Sequence, residues 1–217
     1  MHGDPPKIVI LAVIVSVIIF IVVKYNRQRG TGFTAFANSM GMEVIKGRWW
    51  EEPKLRGTYS GRPVQVQDIA HSTGKSAFYT YKITYESASV SGDKVSINIS
   101  RHGVISDLLL NIGKYFGYKT VSFDNPEFDA SVIVRSSNHE FARALIDVEL
   151  QKGIQDLRKG WIAIKGNAIT FEEYGQAQNN RSRIGEVLPL LDKIEKKLPR
   201  LCSTTFETYD ESGLSSF

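Results

Sequence analysis

The sequence has one cysteine, Cys202, among its 217 residues, and a single thiol excludes an internal disulfide framework. Histidine is also scarce. None of the four histidines lies within metal-ligand spacing of another or of the cysteine: His2, His71, His102 and His139. We therefore expect the protein to hold no metal ion and no other cofactor.

Most of the chain has nearly equal numbers of basic and acidic residues, although the formal net charge is +4. Residues 1–29 carry four basic and one acidic residue, which leaves 23 basic and 22 acidic residues for the remainder. A nucleic-acid-binding domain usually carries a clustered basic surface. The near-neutral remainder therefore indicates that nucleic acid is not a partner.

A phosphate-binding loop is missing as well. Gly74-Lys75-Ser76 resembles the end of such a loop, but Ile69 stands where the motif requires a glycine. The residues that follow have the alternation of a strand, whereas the motif leads into a helix. We interpret this segment as a polar loop without a nucleotide.

One long hydrophobic run is present at the start of the chain. Residues 8–23 contain no charged residue and a single hydroxyl, at Ser16, with Lys7 and Lys24 at the two ends. As a helix the run would measure about 24 Å, and the lysine stems can extend it toward the roughly 30 Å hydrocarbon core. The pattern predicts a transmembrane helix over 8–25. The alternative is a cleaved signal peptide, but the run lacks a basic leader and a small-residue cleavage pattern.

The flanking charges predict an orientation. Lys24, Arg27 and Arg29 follow the run and only Lys7 precedes it, so the positive-inside rule places the C-terminal part in the cytoplasm. We thus predict a single-pass protein of the cell membrane, with the lipid bilayer as one partner. Its segments are an N-terminal stub, a transmembrane helix, a linker, a soluble domain and a disordered tail, at 1–7, 8–25, 26–32, 33–200 and 201–217.

The soluble domain begins with a short helix and continues with strands. Ser60-Gly61 is a two-residue hairpin signal within residues 55–67. Residues 78–85 alternate, with Tyr79, Tyr81, Ile83 and Tyr85 on one face, and residues 95–99 alternate in the same way. These segments predict an antiparallel meander that is buried on one face.

The second part of the domain mixes helices and strands. We predict a turn over 123–128, a strand over 130–135, and one helix that Ser137 and Glu140 open as a capping box. Gly166-Asn167 predicts a hairpin that pairs Ile164 with Ile169 and Ile162 with Phe171. A final helix from Ser182 carries an apolar stripe, with its polar residues predicted to be solvated: Asp192, Lys193, Glu195, Lys196 and Lys197.

These elements predict an α+β fold, in which an N-terminal single transmembrane helix precedes an antiparallel sheet with helices packed on one face. Two aromatic features are candidate interaction or ligand surfaces. Tyr79, Tyr81 and Tyr85 form a stripe that fits a core, the wall of a ligand cavity or a docking surface. Trp49 and Trp50 are adjacent and cannot both face one core, so one of them could lie at a membrane interface.

An acidic cluster around Pro126 is the only candidate for catalysis or cation binding. Asp124, Glu127 and Asp129 have the residue type that such sites require, but their spacing matches no known cation loop. A turn accounts for their spacing.

Short motifs give the chain a resemblance to a family. Leu55-Arg56-Gly57, Gly61-Arg62, Phe123-Asp124, Glu127-Phe128-Asp129 and Gly166-Asn167 resemble an uncharacterised family of prokaryotic proteins that have an N-terminal membrane helix and a cytoplasmic α+β domain. The likeness spans residues 55–174. It implies an architecture and no activity.

The expected function is that of a non-catalytic, single-pass membrane protein whose domain binds another protein as an accessory subunit. The first alternative is a ligand- or lipid-binding domain tethered to the membrane, with the tyrosine stripe inside a cup. The second is an enzyme that uses Asp124, Glu127 or Asp129, which would require these carboxylates to converge in a cleft.

Overall fold

A large antiparallel sheet dominates the fold. The computed structural model describes residues 13–17, 20, 34–45, 53–72, 77–87, 96–101 and 119–207. Within these ranges, nine strands form one sheet in the order β1-β2-β3-β4-β9-β8-β5-β7-β6. The strands are β1 Glu43–Ile45, β2 Lys54–Tyr59, β3 Arg62–Ser72, β4 Ala77–Glu86, β5 Ser96–Arg101, β6 Lys119–Val121, β7 Val132–Ser136, β8 Trp161–Lys165 and β9 Ala168–Tyr174.

Helices precede the sheet, connect its strands and follow it. Helix α1 covers residues 34–39, and the later helices are α2 Pro126–Ser131, α3 His139–Leu145, α4 Val148–Asp156 and α5 Arg181–Glu207. A 3₁₀ turn, Ala177–Asn179, joins β9 to α5. Helix α5 packs against α3, α4 and β9.

The two faces of the sheet differ in burial because side chains alternate along each strand. On the core face Val66, Ile83, Phe171 and Ile162 are cross-strand neighbours, and all are fully buried. The residues between them in sequence are mostly half-buried or exposed. We call that second surface the open face.

The predicted transmembrane helix is wrong as part of the fold class. Within the described residues, no helix is both long and apolar enough to cross a membrane. Of the predicted span over 8–25, only residues 13–17 and 20 are described, and the rest lies outside the described residues. The apolar run over 8–23 has 16 residues, whereas a spanning helix needs about 20 consecutive apolar residues. The description of the chain as a single-pass protein with a transmembrane helix is corrected on the same ground.

Two local hairpins are confirmed. Ser60 and Gly61 form the turn between β2 and β3. The hairpin of β8 and β9 turns at Gly166 and Asn167, with Ile164 opposite Ile169 and Ile162 opposite Phe171. The apolar stripe of α5 is also buried as predicted, through Ile184, Val187, Leu188, Leu191, Ile194 and Leu198.

The predicted meander is wrong beyond β4. Strand β4 pairs with β9, and β5 pairs with β7 and β8, so two strands separate β4 from β5 in the sheet. Alternation specifies which side of a strand is apolar but not which strand lies beside it. Strand β9 lies between β4 and β8 and so joins the early strands of the chain to the later ones.

The segment around Pro126 is a helix and not only a turn. The Asn125 side chain accepts a hydrogen bond from the Phe128 backbone N–H, and Pro126 lies in the first turn, where its missing N–H costs nothing. The following strand accordingly begins at Val132, two residues later than predicted. The predicted capping box is also wrong, because Asn138 and not Ser137 caps α3.

Other boundaries differ from the prediction. The helix predicted after Glu140 is divided into α3 and α4, with a break at Ile146 and a new cap at Asp147. Helix α5 continues to Glu207, although disorder was predicted from residue 201. The rest of the predicted tail lies outside the described residues.

Candidate functional site

The structure divides the predicted tyrosine stripe. Tyr81 and Tyr85 are both 0% exposed and belong to the hydrophobic core. Tyr79 lies toward the other end of β4 and is half-buried. Tyr81 and Tyr85 are therefore buried between the sheet and the elements packed on it, and each hydroxyl needs an internal hydrogen-bond partner.

The hydroxyl of Tyr85 meets a buried carboxylate of α5. It donates to Asp192 Oδ1 at 2.9 Å and lies 3.2 Å from the Tyr59 carbonyl oxygen. Burial, and then the hydrogen bond to Asp192, raise the pKa of Tyr85. Burial alone would raise the pKa of Asp192, but hydrogen bonds from Lys196 and Tyr85 outweigh burial and lower it. Tyr85 is therefore a neutral hydrogen-bond donor to the charged carboxylate of Asp192.

The same part of α5 contains a second buried carboxylate. Glu195 is 3% exposed, and its Oε1 lies 3.3 Å from Arg62 Nη2 at the start of β3. Asp192 and Glu195 were predicted to be solvated, and both are buried. The reason is that the β2–β3 hairpin ends over this turn of the helix and brings Arg62 and Tyr59 to it.

Tyr81 forms a matching contact near the start of α5. Its hydroxyl donates to Glu173 Oε2 at 3.2 Å, and Arg183 Nε donates to the same oxygen at 3.1 Å. Burial, followed by the charge of Glu173, raises the pKa of Tyr81. Asp68, the cross-strand neighbour of Tyr81, accepts from the Ala177 backbone N–H at 2.7 Å. These contacts fix the 3₁₀ turn and the start of α5 on the sheet.

The acidic cluster does not converge. Asp129 binds its own loop, because it accepts from the Ser122 hydroxyl at 2.7 Å and from the Phe123 backbone N–H. Asp124 and Glu127 are exposed. Within the described ranges, no three His, Cys, Asp or Glu side chains are placed to hold a metal ion. Trp49 and Trp50 lie outside the described residues.

The open face carries a cluster that the sequence did not reveal. His71 stacks on Phe78 with a centroid distance of 4.7 Å, Phe78 lies 5.4 Å from Tyr174, and Tyr174 lies 6.2 Å from Trp161. Tyr174 is 49% exposed. We call these four residues the outer aromatic cluster. Alternation along β4 places Phe78 opposite the tyrosine stripe, but only the pairing of β4 with β9 brings Tyr174 to it.

A short hydrogen-bond chain borders the outer aromatic cluster. Thr80 donates to Glu172 Oε1 at 2.6 Å, and His71 Nε2 lies 2.8 Å from the Thr80 hydroxyl oxygen. Since a hydroxyl has one proton, His71 must donate from Nε2. Thr80 thus lies between the two other groups, whereas a nucleophile triad places the histidine in the middle. The arrangement orients side chains and does not activate the hydroxyl.

A small cavity lies at one end of β5 and β8. Ile99, Val132, Leu157 and Trp161 contribute to its mainly apolar lining, and it has room for about one water molecule. A drug-sized ligand needs a pocket of about 300 Å³ or more. This cavity is therefore a packing defect and not a ligand site.

Comparison with known proteins identifies a fold relative. No family model matches the chain, and no curated protein matches it. Among solved structures, the chain is similar to the mycobacterial trehalose monomycolate transport factor A, TtfA. The TM-score is 0.54 with 14% sequence identity, and the match covers 81% of this chain and 94% of the other. At this identity the likeness shows a shared fold.

Proposed function

We propose that this chain is a non-catalytic accessory protein that binds another protein through the open face of its sheet. The observation that carries the proposal is the outer aromatic cluster, which presents tyrosine and tryptophan on the side of the sheet away from the core. Aromatic residues are enriched where proteins bind each other, because they offer a large contact area at a small entropic cost.

The buried polar residues support a binding role over a catalytic one. Tyr81, Tyr85, Glu173 and Asp192 are engaged with one another or with α5 in the core, so their hydrogen-bonding capacity serves the fold. The fold relative is a transport factor, and this also favours an accessory role. A ligand cup lined by the tyrosine stripe has less support because two of its three tyrosines are fully buried.

Site-specific photo-crosslinking tests the proposal. A benzoylphenylalanine at position 174 samples the open face, and the same residue at position 148 is the matched control. Val148 is 77% exposed and begins α4, which packs against α5 over the core face. We expect one discrete protein adduct from position 174 and none from position 148 after irradiation of cells that produce the full chain.

Two results would contradict the proposal. Equal adducts at both positions would indicate random collisions, and no adduct at position 174 would leave the open face without a protein partner. A small-molecule adduct in the native mass spectrum of the unirradiated chain, together with no protein adduct, would instead favour the ligand-binding alternative.

A further inference from the structure

A row of side chains crosses the open face and ends at Trp161 of the outer aromatic cluster. Lys54, Gln67, Lys82, Glu172 and Trp161 are successive cross-strand neighbours on β2, β3, β4, β9 and β8. Adjacent strands lie about 4.8 Å apart, so the row spans about 19 Å. Two cations and a tryptophan therefore share one continuous line.

The charge of this row is not balanced. Lys54 and Lys82 are half-buried, and neither forms an ion pair with any residue that the structure describes. Glu172, the one carboxylate of the row, accepts from Thr80 and lies 3.7 Å from His71. The row thus keeps a net positive charge.

The helices on the other side of the sheet show the opposite arrangement. Lys193 pairs with Glu149, Lys196 with Asp192, and Lys197 with Asp147. These three lysines of α5 each have an acidic neighbour, whereas Lys54 and Lys82 of the open face have none among the residues that the structure describes.

We propose that the open face binds an acidic, extended segment of the partner protein, and this inference rests on the proposed function. Carboxylates of the segment meet Lys54 and Lys82, and an apolar side chain packs on Trp161 and Tyr174. At about 3.3 Å per residue, a row of about 19 Å accommodates roughly six extended residues. Complementary charge adds specificity and speeds association.

The ring geometry favours a polypeptide over a single-stranded nucleic acid, which would also bring negative charge. Bases bind by stacking on exposed aromatic faces. Here the planes of Phe78 and Tyr174 are inclined by 53° and those of Tyr174 and Trp161 by 73°. His71 and Phe78 are nearly parallel, at 12°, but they stack on each other. The remaining rings form a ridged surface that suits protein side chains.

Fluorescence anisotropy with three labelled probes tests the inference on the full chain. The probes are an oligoglutamate peptide that contains one tryptophan, an oligolysine peptide with the same tryptophan, and an oligothymidylate of equal negative charge. We expect only the oligoglutamate peptide to bind with saturation. Lys82→Glu should weaken this binding by about tenfold, because a repulsion replaces an attraction.

Lys152→Glu is the matched control, since it makes the same charge change at an exposed position of α4. The control should bind the oligoglutamate peptide like the wild type. Lys54→Glu is a second variant on the row and should also weaken binding. It replaces Lys82→Glu in the test if that variant folds poorly. Equal loss in the control, equally tight binding of oligothymidylate, or no binding of the acidic peptide would each overturn the inference.

The failure of this inference is distinguishable from failure of the proposed function. A discrete adduct at position 174 without affinity for the acidic peptide keeps the protein-binding role and rejects the acidic partner. The absence of any adduct at position 174 rejects both.

Discussion

Among the glycines that the structure describes, Gly160 has the least room for a side chain. Its φ is +85°, and a Cβ built there would lie 2.5 Å from the buried ring of Phe171 and 2.9 Å from the Glu172 carbonyl oxygen. Gly166 also has a positive φ, of +58°, but a Cβ there would meet nothing within 4 Å. A substitution at either glycine would therefore strain the backbone, but only at Gly160 would the new side chain also clash with its neighbours.

We expect Gly166→Ala to destabilise the protein by about 1–2 kcal/mol, the cost of the left-handed conformation. Gly160→Ala should cost about 1–3 kcal/mol more, because the core must also shift to admit the methyl group. Urea unfolding of both variants measures the difference. Equal losses would show that the core around Phe171 relaxes freely.

At the residue scale, the sequence could predict which side chains are apolar but not which polar ones are buried. The stripe of α5 follows from its own spacing. The burial of Asp192 and Glu195 depends on Tyr85 and Arg62, which lie more than 100 residues earlier in the chain. The charge of Asp192 and Glu195 therefore predicted that they are solvated, whereas their contacts with distant residues bury them.

At the scale of elements, Asp147 divides one predicted helix into two. Its side chain accepts from the Leu150 backbone N–H at 3.0 Å and also from Lys197 of α5. It thereby caps α4 and ties this helix to α5. The hydrogen bond from Lys197 is the first cause of the lowered pKa of Asp147.

Asp147→Ala should destabilise the protein by about 1 kcal/mol more than Asp147→Asn, because alanine removes the cap of α4 as well as the ion pair with Lys197. Asp147→Asn is the matched control, since an amide oxygen can still cap and only the exposed ion pair is lost, which costs about 0.2–1 kcal/mol. Urea unfolding at neutral pH measures both. Equal losses in the two variants would mean that the cap contributes nothing.

The lowered pKa of Asp147 also gives a direction for pH. A depressed folded-state pKa stabilises the fold above the unfolded value of about 3.9, and this contribution is lost as the pH falls through the folded-state value. The difference in unfolding free energy between the wild type and Asp147→Asn should therefore become smaller in acid.

Elements joined by short turns were predictable, and distant pairings were not. The hairpin at Gly166-Asn167 has its turn and both alternating strands within 14 residues, so its register followed from local pattern. Strand β4 meets β9 across about 90 residues, and no local pattern names that partner. The outer aromatic cluster depends on this pairing, and sequence reasoning therefore missed it.

At the scale of the whole molecule, α5 is held at two points along β4. Tyr81 and Tyr85 are separated by about 13 Å along a strand. Arg183 and Asp192, which mark the two contacts on the helix, are also separated by about 13 Å. The equal spacing lets a strand from the first half of the chain set the position of the last helix.

Replacement of both tyrosines measures whether the two contacts act independently. Tyr81→Phe and Tyr85→Phe each remove one donor from a buried carboxylate and should each cost about 1–2 kcal/mol. Sites this far apart without a shared partner usually add within about 0.5 kcal/mol, so the double variant should lose the sum. Tyr174→Phe, whose ring lies half-exposed on the open face, is the control and should change stability by less than about 0.5 kcal/mol. Urea unfolding measures the three losses of unfolding free energy. If the loss in the double variant differs from the sum of the two single losses by well over about 0.5 kcal/mol, then α5 shifts as one body once either contact is lost.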